Sequence, residues 1–203
     1  MASKYHLETS PIYLDGSDVP RNKFGIIDRE ELHELERELL EDAYNIFYDE
    51  LDDNTTFDEA YFKSLHHRTF ESLYEWAGKY RHFNMSKGTS RFCQGAYVES
   101  SSQKLFAELA KVNHLKNSVN SKADFAKQLA YFKCELIALH PFCELNGRIT
   151  RLFFDMISVS NGYNYIDYSV VTSKTYINAS IECVQLADAK AMEKIIFKGL
   201  NEH

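Results

Sequence analysis

The chain has 203 residues, 44% of them hydrophobic and 26% charged, and its 23 Lys and Arg against 30 Asp and Glu give a net charge of -7. A domain of this length buries roughly 70% of its unfolded surface and needs no metal or disulfide to hold a core. The acidic balance argues against a nucleic-acid partner, which calls for clustered basic residues, and no apolar run approaches the ~18 residues of a membrane span.

Residues 1–27 read as an irregular arm, because SPIYLDGSDVPRNKFG carries turn residues and no helical period. From residue 28 to the end the chain reads as one helical domain. Asp28 with Glu31 forms a capping-box pattern, and Leu32, Leu35, Leu39, Ala43 and Ile46 follow at spacings of three and four. That predicts one amphipathic helix to about residue 50. Thr56 and Glu59 repeat the cap, Phe62, Leu65, Thr69, Leu73 and Trp76 make the next stripe, and Gly78 suits a helix end.

Residues 79–98, KYRHFNMSKGTSRFCQGAYV, break the period around Lys87-Gly88 and predict a small β-hairpin. Helical spacing returns from Ser101 through Leu105, Leu109 and Val112. After NSVNS a further helix carries Phe125, Leu129, Phe132, Leu136 and Leu139, and it should stop near Leu139 because His140 precedes Pro141. His140 is then expected at an exposed helix end. Another helix follows Asn146-Gly147, and short helices fit residues 170–186 and 188–200. MASKYHLETS lacks the regions of a signal peptide. Cys93, Cys134, Cys143 and Cys183 show no CxxC spacing, so reduced cysteines in a soluble cytoplasmic protein are expected.

The chemistry concentrates in HPFCELNGRITR, residues 140–151, which reads helix, six-residue loop, helix. A helix N-terminus presents unpaired N–H groups, so the amides around Leu145, Asn146 and Gly147 suit an anion. Arg148 and Arg151 are three apart and share a helix face. Two guanidiniums beside an amide nest suit a polyphosphate. Glu144 is positioned to hold the magnesium such a group brings, and His140 is a base able to lose its charge near pH 7. The plain reading of the same charges is two i,i+4 pairs, Glu144 with Arg148 and Arg151 with Asp155, on a solvated helix face.

HPFCELNGRITR resembles the signature of the Fic family, HPFx[D/E]GNGRxxR, at His140, Pro141, Phe142, Glu144, Asn146, Gly147, Arg148 and Arg151. FGIIDREELHELERE resembles the start of that family's helical core, WAGKYR its approach to a hairpin flap, and SKGTSRF the flap, so residues 24–200 are covered. The resemblance implies an all-α Fic fold, a helical bundle with a β-hairpin flap beside the active-site loop. It implies transfer of AMP from ATP to a Tyr, Thr or Ser hydroxyl of a target protein. His140 takes the proton, Glu144 holds Mg2+, the nest and Arg148 hold the leaving diphosphate, and Arg151 holds the γ-phosphate. The flap residues Met85, Ser86, Lys87, Gly88 and Phe92 dock the target by strand addition, with Lys87 near a phosphate.

Leu145 stands where the family usually has glycine, and a β-carbon there restricts positive φ and crowds the phosphates. A Fic fold with altered or lost transfer is the alternative this position leaves open; a Doc-like phosphotransferase is a separate rival, whose glycine-to-lysine pattern is absent because Gly147 and Arg148 follow Asn146. The self-inhibiting motif [S/T]xxxE[G/N] is absent, since no glutamate is followed by Gly or Asn. The chain therefore resembles the stand-alone class restrained by a separate small antitoxin, with no membrane or nucleic-acid partner.

Overall fold

The computed structural model describes residues 6–7, 12–116 and 121–202. Among them are a two-residue strand β1 (His6–Leu7), helices α1 (Arg29–Asp49) and α2 (Glu59–Phe70), a hairpin of β2 (Met85–Lys87) and β3 (Ser90–Arg91), and helices α3 (Val98–Lys111), α4 (Lys122–Leu139), α5 (Asn146–Ser160), α6 (Ser173–Leu186) and α7 (Lys190–Gly199). The architecture is a helical bundle with a small antiparallel sheet at one side. Helix α4 is its axis and packs on α7, α6, α5 and α3, while α5 also meets α1 and α2. The core is aromatic, with Phe57, Phe62, Phe142, Phe153 and Phe154 fully buried.

Helix α1 begins as expected, with the Asp28 carboxylate accepting from the Glu31 N–H. Its inward face differs from the apolar stripe: Leu32, Glu36, Ala43 and Phe47 are buried, whereas Ile46 is exposed. Helix α2 is capped by Asp58, which accepts from the Tyr61 N–H at 2.8 Å, and not by Thr56, whose hydroxyl donates to the Asn54 carbonyl. It ends at Phe70, eight residues before Gly78. Beyond Phe70 the chain turns, with Leu73 and Tyr74 N–H both on the Phe70 carbonyl, and returns so that the Gly78 N–H donates to His66 Nδ1. Gly78 sits at φ +74 with His67 Cβ only 2.6 Å from where a β-carbon would stand, so glycine is required for that return and not for a helix cap.

The hairpin is shorter than residues 79–98. Tyr80 forms an isolated bridge with Phe142, and the buried guanidinium of Arg81 occupies the carbonyls of Phe83 and Cys93 that a longer ladder would need. Helix α3 starts at Val98, earlier than Ser101, after a 3-10 turn over Gly95–Tyr97. The NSVNS connection lies outside the described residues except for Ser121, which caps α4 by accepting from the Asp124 N–H.

The arm is less irregular than its sequence implies. Tyr13 bridges Pro20, the Leu14 N–H donates to the Val19 carbonyl, and β1 joins the hairpin in the order β1-β2-β3. The cysteines are not all reduced: Cys134 on α4 and Cys183 on α6 form a disulfide, while Cys93 and Cys143 are free. A separation of 49 residues gives no local signal for such a pair, which exists because two packed helices bring the Cα atoms to 4.9 Å. Among the described residues no helix is long and apolar enough to cross a membrane.

Candidate active site

Helix α4 ends at Leu139, as the His-Pro step requires, and His140 follows in the left-handed region at φ 46. The expectation of an exposed histidine is not met. His140 is buried, with its ring stacked on Phe92 of the flap at a centroid distance of 3.8 Å. Its carbonyl and that of Leu139 accept from Arg81, whose side chain is 1% exposed and whose Nη2 also reaches the Cys93 carbonyl. One buried cation thus terminates α4, fixes the start of the loop that follows and ties it to the flap.

The six-residue loop is held from inside. The Phe142 ring lies 3.9 Å from His66 and 5.3 Å from both Phe62 and Tyr80. The Asn146 side chain spans the loop, its Oδ1 accepting from the Phe142 N–H and its Nδ2 donating to the Phe142 carbonyl, each at 2.8 Å. His66 is fully buried, and burial lowers its pKa to about 4. The ring is therefore neutral at physiological pH; with Nδ1 accepting from Gly78, its Nε2–H donates to the Glu144 carbonyl. Burial likewise pushes the Cys143 thiol up to about 12, against the pull of Arg81, which removes it as a nucleophile.

Leu145 sits at φ 67 and ψ 7 as the residue preceding α5, so the left-handed position is occupied despite its β-carbon. Such a conformation costs a non-glycine residue about 1–2 kcal/mol, but the Leu145 side chain is 5% exposed and packed. Losing a buried leucine costs about 2–5 kcal/mol, so packing outweighs strain. Leu145→Gly is expected to lower the unfolding free energy in urea by about 1–3 kcal/mol, while binding ATP at least as tightly as the parent. Weaker ATP binding at unchanged fold would mean that the leucine side chain contributes to the nucleotide site.

A cavity of about 580 Å³ opens at this point, within the size range of ligand sites. The loop and α5 contribute His140, Leu145, Asn146, Gly147, Arg148 and Arg151 to its wall. The flap contributes Lys87, Gly88, Ser90 and Phe92, and α6 adds an apolar side with Ile177, Ile181 and Val184. Of the residues expected at the site, Met85, Ser86 and Glu144 are not on this wall. Met85, the first residue of β2, is buried. Glu144 is 7% exposed, and its Oε1 accepts from the Tyr13 hydroxyl at 2.6 Å.

Neither i,i+4 pair of the plain reading forms. Arg148 pairs with Glu36 of α1 at 2.9 Å, and Glu36, only 3% exposed, also accepts from the Tyr74 hydroxyl at 2.6 Å. Asp155 is buried and accepts from the Tyr44 hydroxyl and the Ile166 N–H; burial raises its pKa to about 6. Arg151 makes no ion pair with a carboxylate among the described residues. Its guanidinium lies over the rings of Tyr176 at 4.4 Å and Tyr168 at 5.2 Å. Tyr13, Glu36 and Tyr176 escape a sequence reading. Glu36 looks like one more surface charge on an acidic helix, and nothing local marks a tyrosine in an arm as a partner of a glutamate 131 residues away.

Two cations and a helix N-terminus facing one cavity with a buried histidine are suited to hold a polyphosphate and move a proton beside it. Among the described residues there is no cluster of three or more His, Cys, Asp and Glu. A cation at Glu144 would take its remaining ligands from phosphate oxygens and water, a donor set that fits magnesium, which commonly binds one or two carboxylates plus substrate phosphates.

Residues 56–158 match the sequence model of the Fic/DOC family. The chain is similar to the probable protein adenylyltransferase y4lH of Sinorhizobium fredii, at 35% identity over 178 residues covering 88% of this chain and 90% of that one. It is similar over its whole length to the probable protein adenylyltransferase Fic of Escherichia coli strain K12, at 25% identity over 202 residues and 98% of that chain. Among solved structures it shares its fold with the ADP-bound N-terminal Fic domain of a Bartonella quintana cell filamentation protein, a VirB-translocated Bep effector. The TM-score is 0.81 at 25% identity, with 95% of each chain covered.

Proposed function

The chain belongs to the Fic/DOC family, and from that membership we propose that it is a protein adenylyltransferase, which transfers AMP from ATP to a Tyr, Thr or Ser hydroxyl of a target protein. The observation that carries this reading is the convergence of His140, the N-terminus of α5, Arg148 and Arg151 on one cavity bounded by the flap. The reaction asks for positioning and charge stabilisation more than for covalent chemistry by the protein. A target hydroxyl entering between the flap and the loop gives its proton to His140, and its oxygen bonds to the α-phosphorus. The bond from that phosphorus to the bridging oxygen breaks, and diphosphate leaves.

Helix α5 directs its first amides, at Asn146 and Gly147, toward the phosphates, and at Gly147 a β-carbon would meet nothing within 4 Å. Arg148, oriented by Glu36, neutralises the leaving diphosphate, and Arg151 reaches the γ-phosphate. Lys87 adds a cation from the flap. Glu144 would hold magnesium, which would supply positive charge to the phosphates. This reading gives the chemistry to a Fic domain of 28–203, with 1–27 as an arm whose residues Tyr13 and Lys23 bond to it. The need for ATP favours the cytoplasm, where the Cys134–Cys183 disulfide would meet reducing thiols. A separate small antitoxin that places a glutamate on Arg151 would close the γ-phosphate site.

Arg151→Ala tests the assignment of the phosphates. Removing a charge-assisted hydrogen-bond donor typically costs about 1.5–3 kcal/mol, so calorimetry should show ATP bound at least tenfold more weakly while AMP binding changes little. Equal losses for both nucleotides would remove Arg151 from the γ-phosphate.

A further inference from the structure

The flap can receive a target strand only on an edge that is free. Strand β3 is flanked by α6, where Gln185 donates to the hydroxyls of Thr89 and Ser90. That leaves the outer edge of β2, and in this structure the chain's own β1 lies there, antiparallel, with His6 opposite Ser86 and Leu7 opposite Met85. We propose that residues 6–7 are an internal occupant of the target-docking edge, a self-strand that a target must displace. This rests on the adenylyltransferase reading above and adds a restraint built into the arm.

The ladder geometry says which groups are engaged. The Phe92 N–H donates to the Met85 carbonyl, so Met85 turns its backbone toward β3. Along a strand the next residue turns the other way, so Ser86 directs its N–H and C=O toward β1 and His6. Among the described residues the contact is a single hydrogen-bonded pair, Ser86 with His6, beside the Leu7 and Met85 pair.

Such a short strand holds its place only because it is tethered. Five residues on from Leu7 the arm is fixed: the Arg21 N–H donates to the Ile12 carbonyl at 2.7 Å, Tyr13 bridges Pro20, and the Tyr13 hydroxyl donates to Glu144 in the loop between α4 and α5. A tether this short presents the strand to the flap at an effective concentration on the order of millimolar. A weak, unspecific extended peptide loses to that competitor, whereas a target with further contacts displaces it. The strand therefore acts as a threshold on target affinity and leaves the nucleotide site untouched. It differs from an inhibitory glutamate, which would act on Arg151 and on ATP.

The test uses the full chain with His6→Pro, which removes the N–H facing Ser86 and disfavours pairing. Amide exchange at Ser86 reads occupancy, and α-labelled ATP in a cell lysate reads transfer. The expected result is faster exchange at Ser86 and roughly tenfold more labelling, the scale set by one strand pair, with ATP affinity unchanged by calorimetry. A synthetic peptide of residues 1–10 added in trans should restore both. Unchanged exchange at Ser86 would overturn the occupancy, and faster exchange without a gain in labelling would overturn the restraint. If neither protein labels anything, the adenylyltransferase reading fails, while exchange at Ser86 still decides whether the strand occupies the edge.

Discussion

His140→Ala is expected to lower the rate of AMP transfer by about 10²–10⁴, the usual loss when a positioned base is removed. ATP binding should stay near the parent value, because the α5 amides, Arg148 and Arg151 are untouched. The result has to be separated from a simple loss of structure. His140 holds a left-handed φ of 46 and stacks on Phe92, so alanine there adds backbone strain and deletes a ring contact. Asparagine tolerates that conformation better, so His140→Asn should be the more stable of the two and equally inactive. Transfer at the parent rate in either variant would show that the proton goes elsewhere.

The second large effect is on stability. Arg81→Ala is expected to destabilise the fold by at least about 3 kcal/mol, because hydrogen bonds to charged groups contribute about 1.5–3 kcal/mol each and buried acceptors are left unpaired. Four carbonyls depend on Arg81: those of Leu139, His140, Phe83 and Cys93. For a chain of this size each kcal/mol shifts Tm by about 2–4 °C, so a fall near 10 °C is the expected calorimetric reading. Arg81→Lys should recover only part of it, since an ammonium cannot reproduce the planar fork that serves three segments together. A change in Tm of under about 2 °C for Arg81→Ala would mean that water replaces the guanidinium without cost.

The helices and the loop between α4 and α5 were legible because their signals are local. Capping at Asp28, the apolar spacing along α4 and the His-Pro step each act over a few residues. The structure departs from the sequence reading where distant groups decide. Arg81 and His66 set where α2 stops and where the hairpin begins, yet their partners lie on the catalytic loop and at Gly78. Glu36 reads as a surface charge until α1 is packed against α5, after which it is a buried counter-ion of Arg148. The exposure expected of His140 failed because the flap folds over it, a contact that no periodicity encodes. Leu145 reads as an obstacle in a glycine position, whereas its packed side chain compensates the strained backbone.

The labels of ATP decide the central claim most directly. The protein should be incubated with magnesium and a cell lysate, with ATP labelled at the α-phosphate in one sample and at the γ-phosphate in another. Adenylyl transfer predicts label on protein from the α position alone, lost in His140→Ala, with the γ label released as diphosphate. Label on protein from the γ position would contradict the account and make the chain a phosphotransferase, and no label from either would make it a nucleotide-binding Fic fold without transfer.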